Sequence, residues 1–277
     1  MMNTDPERMQ NDAGERVLAM DVGGTFIKSG ILHNGILSEL PQVPSCSDRS
    51  AAEIIGALQK AIHAAGTVDR IAIAIPGPFD YHRGVSMMTH KFGAINNVDL
   101  TAALDPGVPL RFMHDANAFL AGELYYGSLR GIKRAGGVTL GTGLGAAVSI
   151  DNKLINCPLG SPADEVSLWN RSYRGGTAED FVSSRALLKK YPAPSVYDIA
   201  QYAHKGDEKA LQVWYEFGED LANLLTDWIT NFHLEKIVLG GQISRDLKLF
   251  SEPLKDLPVT VSTLSGAALY GVAAFPA

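Results

Sequence analysis

Two stretches of this chain repeat one pattern: an apolar strand, a glycine turn, a second strand and a tight polar turn. The first runs from Val17-Leu-Ala-Met20 into Asp21-Val-Gly-Gly-Thr25, continues to Leu32 and turns at His33-Asn-Gly35. Asn-Gly accepts the positive φ that a hairpin turn needs. The second runs from Gly137-Val-Thr-Leu140 into Gly141-Thr-Gly-Leu-Gly145, continues to Ile150 and turns at Asp151-Asn-Lys153. Gly23 and Asn34 are eleven positions apart, and so are Gly141 and Asn152. A unit used twice predicts two related lobes.

The segments between and beyond the hairpins predict an α/β chain. Ser50 to Ala65 reads as a helix, with Ser50 as N-cap, Glu53 completing a capping box and Gly66 after the last turn. Asp69 to Ile75 is a buried strand stopped by Pro76-Gly-Pro78, and Leu110 to Met113 is another. Ala116 to Tyr126 follows as a helix. Strand, helix, strand order implies parallel pairing. Helices are expected over Thr177–Lys190, Val196–His204 and Glu208–Asn231. Strands are expected over Lys236–Leu239 and Val259–Val261, and a closing helix over Ser265–Ala274.

Composition excludes several classes. The net charge of −6 argues against nucleic acid and anionic membranes, whose phosphates require basic surface. Two cysteines, Cys46 and Cys157, give neither a disulfide scaffold nor a Cys-x-x-Cys metal pair, which fits a reduced cytoplasmic setting. No apolar run approaches the roughly 20 residues of a membrane span. Residues 1–16 lack the apolar centre of a signal peptide and are expected to form a disordered tail.

Three places offer chemistry. Glycines in Asp21-Val-Gly-Gly-Thr25 expose backbone N–H groups to a phosphate, and Asp21 beside them suits Mg²⁺ held through water. Thr25 and Lys28 add a hydroxyl and a positive charge. A plain glycine hairpin explains this stretch equally well on its own. Gly141, Thr142 and Gly143 follow the same logic. Gly141, Gly143 and Ala146 also fit a loose dinucleotide fingerprint, but that motif opens a helix and this sequence turns at Asp151. Neither loop continues as Gly-Lys-Ser/Thr. Asp115 ends one apolar strand and begins a helix, the position where carboxylates of α/β sheets face a ligand crevice. It suits a group accepting a hydroxyl proton in phosphoryl transfer; taken alone, an aspartate here is more often an N-cap, and both roles can hold at once.

Together these segments resemble the ROK family of sugar kinases, within the actin-like ATPase superfamily that includes hexokinases. The resemblance runs from Val17 to the C-terminus. It rests on Asp21-Val-Gly-Gly-Thr25, Pro76-Gly-Pro78, Asp115-Ala-Asn-Ala118 with Gly122-Glu123, Leu140-Gly-Thr-Gly-Leu-Gly145 and Val238-Leu-Gly-Gly241, in that order. It implies a two-lobed, ribonuclease H-like fold with duplicated mixed sheets and an interlobe cleft. Residues 17–117 would form a small lobe and 118–264 a large one, with the helix from 265–277 returning to the small lobe.

The resemblance also implies roles. ATP with Mg would lie on Asp21, Gly23, Gly24, Thr25, Lys28, Gly141, Thr142 and Gly143, with Gly240 and Gly241 packed on adenosine. Asp115 would be the general base, and Asn97, His114, Asp115 and Glu165 would face the sugar. A hexose or amino sugar would be the substrate. The family is often dimeric, which implies a homodimer.

The departures concern the sugar side. The family usually carries a Cys-x-Cys-Gly-x-x-Gly-Cys zinc motif after a Gly-His. Here the stretch reads Asp164-Glu-Val-Ser-Leu168 and then Arg174-Gly-Gly-Thr-Ala-Glu179, so no structural zinc is expected. Leu168 replaces the histidine and is expected to change the sugar pocket. His114 replaces an asparagine, and His90 to Asn97 lacks the usual Asn-x-Pro-Gly-Trp form. These changes keep open a second reading, a sugar-binding sensor of the same family without catalysis.

Overall fold

The computed structural model describes residues 14–274. Of the expected tail, only residues 14–16 lie within these bounds. There Glu15 pairs with Arg70 at 2.9 Å, and the Arg16 N–H donates to Asp69 at 2.7 Å.

The first hairpin is β1 (Val17–Val22) and β2 (Phe26–His33), extended by β3 (Ile36–Pro44). Asn34 and Gly35 both take positive φ, 50° and 76°, as the Asn-Gly pair predicts. Next comes α1 (Ala51–Ala64), with the Ser50–Glu53 capping box formed and Ile54, Ala57, Leu58 and Ala61 facing the core. It crosses over to β4 (Arg70–Ile75), which lies parallel to β1. The short pair β5 (Phe79–Asp80) and β6 (Val85–Ser86) and the helix α2 (Leu100–Leu104) lead to β7 (Leu110–His114). The first sheet has the order β3-β2-β1-β4-β7. Then α3 (Asp115–Tyr125) carries the chain onward.

The second sheet repeats that plan. β8 (Arg134–Leu140), β9 (Leu144–Ile150) and β10 (Lys153–Leu154) form an antiparallel meander, with Asp151 and Asn152 at φ 49° and 60°. The hairpin β11 (Ser172–Tyr173) with β12 (Gly176–Thr177) and the helices α4 (Ser184–Lys190), α5 (Val196–His204) and α6 (Glu208–Phe232) intervene. β13 (Lys236–Gly240) then pairs parallel to β8, and β14 (Val259–Val261) pairs with β13. The order β10-β9-β8-β13-β14 matches the first sheet strand for strand. The chain closes with α7 (Ala267–Ala274).

One expected helix divides. Over Thr177–Lys190 the chain forms a 3-10 turn at Ala178–Asp180, and α4 starts only at Ser184. Ser183 Oγ accepts the Ala186 N–H and starts a new helix, so a second cap interrupts the first.

Between the two sheets lies α3. Nine of its eleven residues are buried, far more than a one-sided helix allows. Ala118 and Ala121 share a core with β1, β4 and α7, while Phe119, Leu120 and Leu124 pack on Ala135, Ala147 and Val238 of the second sheet. Where α3 crosses α7 the backbones touch. A β-carbon on Gly271 would fall on the Ala118 carbonyl oxygen, and one on Gly122 would fall on that of Ala267.

Candidate active site

The parallel strands β1, β4 and β7 end at one edge of the first sheet. Register sets Asp21 beside Ala74 and His114 beside Ile75, so Asp21 and the start of α3 share that edge. Lys28 stands directly opposite Asp21 on β2. The Asp21 carboxyl is partly buried and accepts no hydrogen bond from a described residue. Burial first, and then the nearby Asp115 charge, push its pKa from 3.8 up to about 6, with Lys28 pulling the other way. The two carboxylates therefore feel each other.

Asp115 is the first residue of α3, and the cap is His114. His114 Nδ1 lies 3.2 Å from the Ala116 N–H and 3.1 Å from Asp115 Oδ1. Ala116 N–H also reaches Asp115 Oδ1, at 2.7 Å. That shorter bond satisfies the amide, so the tautomer protonated at Nδ1 lets His114 donate to the carboxylate. Burial lowers the His114 pKa, with Asp115 opposing, which keeps the ring neutral at pH 7. The Asp115 side chain remains 43% exposed.

The strand leaving the second glycine turn, β9, reaches the same helix. A β-carbon on Gly145 would stand 3.5 Å from the Ala116 Cβ, next to Asp115. Gly141 N–H donates to Gly143 O at 3.1 Å, and Gly141 O accepts both Ser184 N–H and Oγ at 2.8 Å. Thr142 at its tip is exposed. Gly240 packs against the Phe119 ring, and Gly241, at φ 87°, presses on the Leu140 backbone immediately before the turn. The structure thus gathers Asp21, Gly23, Gly24, Lys28, His114 and Asp115 at one sheet edge, and sets Gly145 and Gly240 against α3, while Gly143 lies by Glu179 and Gly241 by Leu140. Thr25, the last residue of the first turn, is exposed.

The expected sugar residues are placed less tightly. Asn97 is exposed at φ 61°, its N–H donating to Ser86 O at 2.7 Å. Glu165 is exposed, and its carbonyl accepts Arg171 Nη2 at 3.1 Å. Leu168 is fully buried in the second-sheet core. An apolar side chain gains more from that core than from a polar cleft. The stretch after it is tied to α6 through buried Asp220, which accepts Tyr173 Oη and pairs with Arg174, each at 3.0 Å.

Two residues that sequence reasoning passed over also border the site. Tyr81 is buried, donates its hydroxyl to Ile75 O at 3.0 Å and meets the His114 ring edge-on at 5.8 Å. Burial, with Asp115 and Cys157 nearby, pushes its pKa well up. Glu179 Oε2 accepts the Leu144 N–H at 3.0 Å, and its other oxygen pairs with Arg185, so it braces the second turn.

The raised Asp21 pKa predicts a stability effect. A carboxyl whose folded pKa exceeds its unfolded one disfavours folding when ionised, so the cost is present above about pH 6 and gone below 3.8. At about 1.4 kcal/mol per pH unit, the upper limit is about 3 kcal/mol. Asp21→Asn is expected to raise the melting temperature of the nucleotide-free protein at pH 7.5, and the gain should shrink from pH 6 to pH 4. A gain independent of pH would show that ionisation is not its cause.

The model of the ROK family matches residues 17–166 and 170–262. The glucokinase of Thermotoga maritima is 26% identical across 94% of this chain and 92% of its own length. The N-acetylmannosamine kinase of Haemophilus influenzae is 24% identical across 88% of this chain and 87% of its own. Among solved structures, the ROK family glucokinase from Streptomyces griseus in complex with glucose and AMPPNP superposes with a TM-score of 0.80 at 22% identity. The superposition covers 93% of this chain and 98% of that one. The fold is therefore the two-lobed actin-like one, with the duplicated mixed sheets described above.

Proposed function

The chain belongs to the ROK family, and on that premise we propose that it is a sugar kinase, transferring the terminal phosphoryl group of Mg-ATP to a hydroxyl of a hexose or amino sugar. The observation that carries this reading is the placement of α3. Its first residue, Asp115, lies close enough to Asp21 for the two charges to interact, and its second residue, Ala116, packs near Gly145 of β9, just past the second turn. The matched kinases of glucose and N-acetylmannosamine support the substrate class. Lobes at 17–117 and 118–264, with 265–277 returning to the first, go with this reading.

Phosphoryl transfer asks little covalent chemistry of the protein and much positioning. Asp115 Oδ1 is held by the Ala116 N–H and His114, and no described residue bonds Oδ2, which leaves it to take the proton of the attacking sugar hydroxyl. His114 donates to that carboxylate and keeps it oriented. The glycine turns offer backbone N–H groups to the phosphates. Asp21 fits Mg²⁺: it is a partly buried oxygen donor with no hydrogen-bond partner, and Mg²⁺ takes one or two carboxylates while keeping waters and phosphate oxygens. Bound there, Mg²⁺ would neutralise phosphate charge.

The test is Mg-ATP turnover with a panel of hexoses, N-acetylhexosamines and their derivatives. Sugar-dependent ADP release with at least one of them is expected. Sugar binding without turnover across the whole panel would replace this reading with the sensor reading.

A further inference from the structure

We propose that Lys91 contacts the terminal phosphate of the nucleotide at the first glycine turn, a role that rests on the kinase reading above. Lys91 stands in a tight loop closed by the Gly93 N–H on His90 O at 3.1 Å. Its neighbour Phe92 takes φ 57° and buries its ring in the first core, which fixes the loop. Phe92 N–H donates to Ser47 O at 2.9 Å, and Ser47 Oγ donates to Gly24 O at 2.6 Å. Two hydrogen bonds thus lace the Lys91 loop to the glycine turn.

The Lys91 side chain lies over that turn. A β-carbon on Gly24 would stand 3.4 Å from Lys91 Nζ and 3.5 Å from Cδ and Cε. Ordinarily a lysine near carboxylates pairs with one. Among the described residues Lys91 makes no ion pair and no hydrogen bond, although Asp21 precedes Gly24 by only three positions. Gly23 N–H is used by Phe26 O at 3.0 Å, while Gly24 N–H has no acceptor among the described residues. A free amide and a free ammonium at one glycine form a receptor for a phosphoryl oxygen. The phosphate nearest Asp115 would be the one transferred, and this turn directly follows Asp21, whose charge interacts with that of Asp115. Lysine suits that place because its ammonium is a compact point charge on a flexible stem.

Calorimetric titration of Lys91→Ala and Lys91→Arg with Mg-AMPPNP and with Mg-ADP tests this. Lys91→Ala is expected to weaken AMPPNP binding about tenfold or more while leaving ADP within about threefold, and Lys91→Arg should restore AMPPNP. Equal losses for both nucleotides, no loss, or a change confined to the sugar KM would overturn the role. A wild-type protein that binds neither nucleotide would overturn the kinase reading instead. The phosphate role then stands only if inorganic tripolyphosphate binds the wild type and not Lys91→Ala, and any other result ends it.

Discussion

Asp115→Ala is expected to lower kcat by about 10²-fold or more, the scale of general-base catalysis, while the fold survives. The fold survives because the neutral His114 ring can change tautomer, freeing Nδ1 to accept the Ala116 N–H once the Asp115 carboxylate is gone. When Asp115 Oδ1 is lost, the Ala116 N–H still has His114 Nδ1 at 3.2 Å. Melting temperature should therefore change little, and KM for Mg-ATP should move less than kcat. Asp115→Asn should be nearly as inactive, since an amide keeps the shape and cannot take the proton. Either variant should also lower the pKa of Asp21, because the Asp115 charge is one of the two causes holding it near 6. Turnover surviving intact in both variants would remove Asp115 from its role.

Gly271→Ala is expected to be the most destabilising single-methyl change in the chain. Its β-carbon would collide with the Ala118 carbonyl oxygen and crowd the Gly122 amide nitrogen. Both obstacles are backbone atoms of a helix packed on both flanks, so nothing can turn aside. Overpacking of a core costs about 1–3 kcal/mol and occasionally more, and this site belongs at or above the upper end. At roughly 2 °C per kcal/mol, the melting temperature should fall by about 6 °C or more. Gly56→Ala is the matched control. Gly56 lies within α1 with nothing within 4 Å of its would-be β-carbon, so alanine there should stabilise by up to about 1 kcal/mol. Melting curves that do not separate the two variants would refute the close crossing of α3 and α7.

Much of this architecture was written locally. The Asn34-Gly35 and Asp151-Asn152 turns, the Ser50 capping box and the limits of α5 and β14 all follow from signals within a few residues. Such signals name a turn or a cap without reference to the rest of the chain. Asp115 was legible for the same reason, as a carboxylate where a strand becomes a helix, although His114 rather than Asp115 proved to be the cap.

What local signals missed depends on distant contacts. Glu179 sits 35 positions from the Leu144 amide it braces, and Lys91 lies 67 positions from Gly24. No nearby pattern marks either. The division of Thr177–Lys190 was visible in outline, since Ser183 is a strong cap residue, but helix-favouring neighbours on both sides masked it.

A helix with no free flank has a mechanical consequence. If one sheet rocks over the other, the sliding surfaces are the two sides of α3, so displacement would be least along its axis and grow towards the rims. Asp115 sits at the tip of that axle. The glycine turns would swing while the carboxylate proposed as proton acceptor stays still, a fixed post against which donor and acceptor would be brought into line.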